Sequence, residues 1–237
     1  MWNIYSLFIL DRFLRTTYTL YKIITKASIV MCTRYFLSAS HPELKSIIDA
    51  AKISPLARRF ALDAVNPVKT EGEIRPTDVV PVLAPNPKGE KTVFPMKWGY
   101  TNTHKCGKLL LNARSETAYQ KPTFKYDWLN HRCIIPASYY FEWNHIQNDN
   151  GTTQIGDRYM IHPKGEEITW LCGLYHIEEN FPTFVVLTRE PGREIAEIHD
   201  RMPLILPSEL VGEWIRPGVS PDWLLDKALV EMIAEKG

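Results

Sequence analysis

Beyond residue 33 the chain alternates short apolar runs with turn-forming clusters, and few of those runs keep a helical period. One clear helix comes first. Ser40 and Glu43 have capping-box spacing, Pro42 suits the first turn, and Leu44, Ile47, Ile48 and Ala51 recur on one helical face. Residues 58–69 show no such period and read as irregular. A loop around Pro76 leads to predicted strands at 79–83, 92–94 and 108–111, with Pro85-Asn86-Pro87-Lys88-Gly89 as a turn. Residues 115–120 read as a short helix. Strands are predicted at 133–135, 139–143, 159–162, 168–174 and 183–187, and the polar stretch 148–156 reads as a hairpin end. Pro191 opens a helix to about residue 198, and two more begin at Ser208 and Pro221. Strands follow one another without regular helical crossovers. This predicts a single α+β domain with a mixed, mostly antiparallel, barrel-like sheet and flanking helices, rather than a doubly wound fold.

Composition narrows the picture. The 237 residues are 45% apolar and 23% charged, enough for one full core. With 28 basic and 27 acidic residues the net charge is +1. That excludes a histone-like or tail-like nucleic-acid binder and leaves room for a local basic groove. Cys32, Cys106, Cys133 and Cys172 form no C-x-x-C pair. No structural zinc site, other metal, cofactor or disulfide framework is implied, and reduced thiols are expected. Residues 1–30 lack glycine and proline, and the apolar run from Ile4 to Leu10 is broken by Asp11 and Arg12. The segment is too short and too charged for a membrane span, and it lacks the basic start of a signal peptide. Met31 then precedes Cys32 directly. Residues 1–31 therefore read as a leader or an over-called start, and 32–237 as the working domain.

Candidate chemistry is ambiguous residue by residue. A lone Cys32 is equally a small buried hydrophobe. Glu142 lies inside Ser138-Tyr139-Tyr140-Phe141-Glu142-Trp143. Strand alternation puts Tyr140 and Glu142 on one face and Phe141 and Trp143 on the other. Such an acid is either a solvated outward group or a buried carboxyl tuned for proton transfer. His199 closes a helix, where it either complements the dipole or acts in catalysis. Residues 112–117 (Asn-Ala-Arg-Ser-Glu-Thr) read as a cap with a surface salt bridge or as part of a site.

Together these strings resemble a known family. Met31-Cys32-Thr33-Arg34, Trp98-Gly99, Asn112 to Thr117, Cys133-Ile134-Ile135-Pro136, Glu142-Trp143 and Ile198-His199-Asp200-Arg201-Met202-Pro203 occur in the order of the SRAP family of abasic-site processing proteins. A cytoplasmic location is expected and a monomer is the default; the resemblance implies a protein acting on single-stranded DNA. It implies that Cys32 becomes N-terminal by removal of the leader and links covalently to an abasic-site aldehyde, protecting the lesion during replication and the SOS response. Glu142 and His199 match the acid/base residues, and Asn112 matches a residue that positions the cysteine. Arg34, Arg114 and Arg201 match phosphate contacts. Trp98 and Pro76 match residues beside the DNA, the ring replacing lost base stacking.

Those residue types suit the chemistry. An α-amine titrates near pH 8, so part of it is nucleophilic at neutrality. It condenses with an aldehyde, and the thiol on the same residue can close a five-membered ring. Two other readings compete: a peptidase with a Cys32-His199-Asn112 triad, and a passive single-strand-binding module. The first reading needs a free amine at Cys32. Protein expressed with its own upstream sequence is expected to show an intact mass beginning at Cys32; a stable chain beginning at Met1 would remove covalent capture for that form.

Overall fold

The structure, a computed structural model, describes residues 33–102, 107–148 and 151–237. Strand β1 (Arg34–Leu37) is followed by α1 (Pro42–Ile53), which buries Leu44, Ile47, Ile48 and Ala51 as its period predicts. Its cap is His41 rather than Ser40: the imidazole Nδ1 accepts from the Glu43 amide at 3.2 Å. Ser54 ends α1 in an extended conformation, because a residue before proline is pushed out of the α region. Its hydroxyl then caps α2 (Pro55–Asp63) by accepting from the Leu56 amide. This helix corrects the irregular stretch expected from residue 58. Its buried face is only Ala57 and Phe60, too sparse to show a period.

Next come β2 (Gly72–Ile74), β3 (Val79–Pro85), β4 (Lys91–Trp98), β5 (Tyr100–Thr101), β6 (Leu109–Leu110), β7 (Asn112–Arg114), α3 (Ser115–Ala118) and α4 (Lys125–Asn130). The strand series β8 (Arg132–Ala137), β9 (Tyr139–Gln147), β10 (Thr153–Pro163), β11 (Thr169–Glu178) and β12 (Phe181–Arg189) forms the bulk of the fold. Then α5 (Arg193–Ala196), β13 (Met202–Pro203), β14 (Ile205–Leu206), α6 (Val211–Trp214), α7 (Asp222–Leu225) and β15 (Met232–Lys236) complete the chain. The helix expected over 191–198 is thus a single turn. The one expected from Ser208 starts as a 3-10 turn, Ser208–Leu210.

Five strands close into a barrel. β12 runs parallel to β4, and the pairs β4–β3, β3–β8, β8–β11 and β11–β12 are antiparallel. Every position of β8 is buried and β3 is buried from Val79 to Ala84, as strands covered on both faces must be. Pro81 stands opposite Pro95, so two residues without amide donors share one ladder position. A Cβ at Gly173 would lie 2.6 Å from Ile135 Cδ1 and 2.7 Å from the Val185 carbonyl oxygen, so only glycine lets β11 approach its neighbours.

At Ser138 the chain leaves the barrel for a second sheet of order β15-β10-β9-β1-β2. Its inner face carries Tyr35, Leu37, Ile74, Tyr140 and Ile161, all at or below 1% exposure. The predicted α+β class and barrel-like core are what the structure shows. Among the described residues no helix is long and apolar enough to cross a membrane.

Two buried polar knots hold helices to this frame. The Arg132 guanidinium, 1% exposed, donates to the carbonyls of Trp128, Leu129, Trp214 and Arg216, so one cation satisfies the ends of α4 and α6. Burial lowers its pKa to about 10. On the other side of α4, Asp127 accepts from Tyr100 Oη at 3.1 Å and lies 2.9 Å from His131 Nδ1 and 3.2 Å from His176 Nδ1. His176 Nε2 in turn lies 2.7 Å from Glu178 Oε1.

Burial alone would lower the His176 pKa, but its bonds to Asp127 and Glu178 outweigh burial and raise it. Burial would likewise raise the Asp127 pKa, and the two histidines bring it down. A raised histidine pKa contributes stability that is complete below the unfolded value of about 6.5 and is lost as pH rises through the folded value. The depressed Asp127 contributes above about pH 4 and loses its share as pH falls. In thermal melts the gap between wild type and His176→Gln should therefore close as pH rises above about 6.5; a gap independent of pH would refute this linkage.

Candidate active site

Glu142 is 3% exposed and sits on the inward face of β9, two residues after Tyr140. The reading of this acid as a solvated, outward-facing group is thereby corrected. Its strand pairs with β1, where Arg34 lies opposite Phe141, the residue next to Glu142. Cys32 lies outside the described residues, as do residues 1–31 and 103–106. The backbone that follows Cys32, however, enters β1 one residue from the level of Glu142.

His199 follows α5 and is 4% exposed. Its amide donates to the Ile195 carbonyl, prolonging the α5 turn, and its Nδ1 accepts from the Arg201 amide at 3.1 Å. The same nitrogen lies 3.0 Å from Asp200 Oδ1, so it stands between an amide donor and a carboxylate acceptor. Nε2 is buried and has no hydrogen-bond partner among the described residues. Burial lowers the His199 pKa; the nearby His145 lowers it further, against opposing contributions from Asp200 and the Arg201 amide. Burial and His145 thus favour the uncharged ring. His145, three residues beyond Glu142 on β9, meets the His199 ring edge-on at 5.3 Å between centroids. That contact brings the strand of the acid to the loop of the histidine. Sequence reasoning missed His145, because the predicted strand stopped at Trp143.

Asn112 opens β7, half-buried, opposite Val186 of β12. Arg114 is exposed at the start of α3. Arg201 is only 7% exposed. Its Nη1 and Nη2 donate to the two Glu116 carboxylate oxygens at 2.8 and 2.7 Å, and Nη2 also reaches the Thr188 carbonyl at 2.8 Å. This bidentate pair joins the 112–117 string to the 198–203 string across the end of β12. Glu116 is pulled below the usual carboxylate range; burial opposes the shift, and the Arg201 bonds overcome it.

The remaining candidate arginine, Arg34, lies on the second sheet. Arg34 Nη1 donates to Glu73 Oε1 at 2.5 Å. Pro76 is half-buried in the turn after β2, where Thr77 has φ +76° and the Asp78 carboxylate accepts from the Arg75 amide. Trp98 corrects the expectation that its ring stands beside DNA. It is 0% exposed, stacked on Phe184 at 6.0 Å, and its Nε1 donates to the Leu111 carbonyl. A ring enclosed on both faces has no surface left to stack on a base. Among the described residues no group of three or more His, Cys, Asp or Glu is placed to hold a metal ion.

The fold is a small closed barrel whose second sheet carries a buried acid on the strand that meets a buried histidine. The family model for SOS response associated peptidase (SRAP) matches residues 31–236, and the chain belongs to this family. It is 31% identical over 209 residues to the abasic site processing protein YoaM of Bacillus subtilis, covering 82% of this chain and 83% of that one. To the abasic site processing protein YedK of Escherichia coli it is 28% identical over 133 residues, 53% of this chain and 56% of that protein. A crystal structure of a Bacteroides thetaiotaomicron protein shares the fold, with a TM-score of 0.64 at 21% identity over 86% of this chain and 91% of that one.

Removing Glu116 strands a largely buried cation, and removing Arg201 leaves the buried Thr188 carbonyl and the Glu116 carboxylate without their donor. Glu116→Ala and Arg201→Ala are each expected to lower unfolding stability by about 2–3 kcal/mol in urea titrations, and Arg201→Lys, lacking the planar fork, should not restore the loss.

Proposed function

We propose that the protein captures abasic sites in single-stranded DNA through Cys32, with Glu142 and His199 moving the protons. The observation that carries this reading is the burial of Glu142 on the strand paired to β1, the strand that directly follows Cys32. A carboxyl buried on the same face as Tyr140, at the level where the chain leaves Cys32, suits a group that moves protons.

The chain is taken to act from Cys32, after Met31 is lost by initiation at that codon and methionine removal, or after the same cysteine cuts off the leader. The free α-amine attacks C1′ of the ring-opened sugar to give a carbinolamine. Loss of water, with a proton supplied by Glu142, leaves an imine. The thiol then adds across the C=N bond: sulfur bonds to carbon, the thiol proton ends on nitrogen, and a thiazolidine results. His199 takes the C1′ hydroxyl proton as the sugar ring opens and returns it to the ring oxygen. Asn112 holds the amine or sugar oxygen, and Arg34 and Arg114 bind flanking phosphates. Arg201, committed to Glu116, acts by holding His199 in place through its amide. The protein thereby shields lesions at DNA during replication and the SOS response.

A chain beginning at Cys32, incubated with a single-stranded oligonucleotide bearing one abasic site, is expected to give a denaturation-resistant adduct. Cys32→Ala should lose the stable product. Glu142→Gln, which cannot donate a proton, should slow formation by roughly 10²–10⁴-fold. The rate should rise with pH toward about 8 as the amine deprotonates. Binding without an adduct would leave a passive single-strand module, and cleavage of unrelated peptides would favour the peptidase reading.

A further inference from the structure

The outer face of the second sheet gathers three arginines from three separate places around one carboxylate. Glu73 Oε1 is 2.5 Å from Arg34 Nη1 and 3.0 Å from Arg75 Nε, and Glu73 Oε2 is 3.7 Å from Arg158 Nη1. Arg34 comes from β1, Arg75 from the turn after β2 and Arg158 from β10. Three cations against one anion leave an excess charge of two. The guanidiniums offer five N–H donors each, and one carboxylate cannot fill them. Arg34 Nε is buried and has no partner among the described residues. Surface ion pairs of this kind contribute little to stability, so crowding like charges here is not explained by folding.

The same face carries rings. Phe36 and Tyr139, both half-exposed, stack at 5.0 Å with 6° between planes. Tyr139 meets Phe141 edge-on at 5.3 Å, and the Arg158 guanidinium lies 4.7 Å over Phe141. Interleaved arginines and half-exposed aromatic rings suit a strand whose phosphates and base faces are both within reach.

We propose that Arg75 and Arg158 join Arg34 in a phosphate-binding subsite for single-stranded DNA, bordered by the Phe36–Tyr139 stack, with Glu73 as the group that competes with the phosphate. The inference rests on the proposed function, because Arg34 lies two residues from Cys32 and would lead the strand from this subsite to the reactive end. Glu73 gives the subsite a tuning element. An arriving phosphate takes over guanidinium donors that the carboxylate now occupies, so Glu73 sets how tightly undamaged strand is held.

The test is equilibrium binding of an undamaged single-stranded oligonucleotide to the full chain, by fluorescence anisotropy across a salt series. Arg75→Ala and Arg158→Ala are each expected to weaken binding about 3- to 10-fold near 0.1 M salt and to reduce the slope of log K against log[salt] by about 0.7. Glu73→Gln is expected to act in the opposite direction and tighten binding, which a damaged fold would not do. Thermal melts of each variant check the sheet itself. Slopes unchanged in both arginine variants, or weaker binding by Glu73→Gln, would overturn the subsite. Inorganic phosphate at matched ionic strength should not compete; competition would assign the cluster to a free anion and overturn the strand reading. Adduct formation on abasic DNA is scored separately, so loss of the subsite with adduct intact, or of adduct with the salt slopes intact, identifies which of the two proposals fails.

Discussion

Strand β12 is the seam on which the architecture depends. Both of its edges are shared end to end. One edge pairs with β11 from Phe181 to Val186 and then with β13 at Thr188 and Arg189. The other pairs with β4 at Thr183 and Phe184 and then with β7 from Val186 to Thr188. The first pairing on each edge closes the barrel; the second imports a short strand that could not stand alone. Those imported strands carry the chemistry-bearing strings: β7 delivers Asn112 and Arg114, and β13 is reached through His199 and Arg201. Thr188, fully buried, is where they converge, its carbonyl bonded to Arg201 and its hydroxyl to the Ala113 carbonyl.

The electrostatics around this seam divide labour between cations. Arg201 and Arg132 are both buried, yet one is matched by a carboxylate and the other only by carbonyls. Neither is placed to meet solvent. On the outer face of the second sheet Arg34, Arg75 and Arg158 are grouped, so an almost neutral chain still presents a local cluster of positive charge.

Much of the fold was legible because the strands obey simple rules. Val79 to Ala84 and the β8 segment are apolar without alternation, as barrel strands must be, and 139–143 is a run of rings broken only by Glu142 and buried from Tyr140 to Glu142. The failures have physical causes. Residues 232–236, Met-Ile-Ala-Glu-Lys, carry no strand signal of their own and fall in no predicted element, yet they form β15 because the edge of β10 offers five consecutive partners. The site was legible at Glu142 and His199 only as a choice between exposed and buried roles, since alternation tells which residues share a face and not which face is covered. Trp98 was misplaced for the same reason. The Glu73 cluster escaped entirely, because residues 34, 73, 75 and 158 are neighbours through strand pairing and not through spacing.

The passage from barrel to second sheet at Ser138 has a consequence for how this chain can vary. The Ser138 amide donates to the Phe36 carbonyl, anchoring the crossing, and Glu142 lies four residues on. Side chains in a strand change sides at each step, so inserting or deleting one residue between Ala137 and Glu142 would send the acid outward and Phe141 inward. Substitutions there alter a contact; a change of length reverses the whole set. In lineages that keep this acid at work, the stretch should tolerate replacement of its residues far more readily than any change in their number.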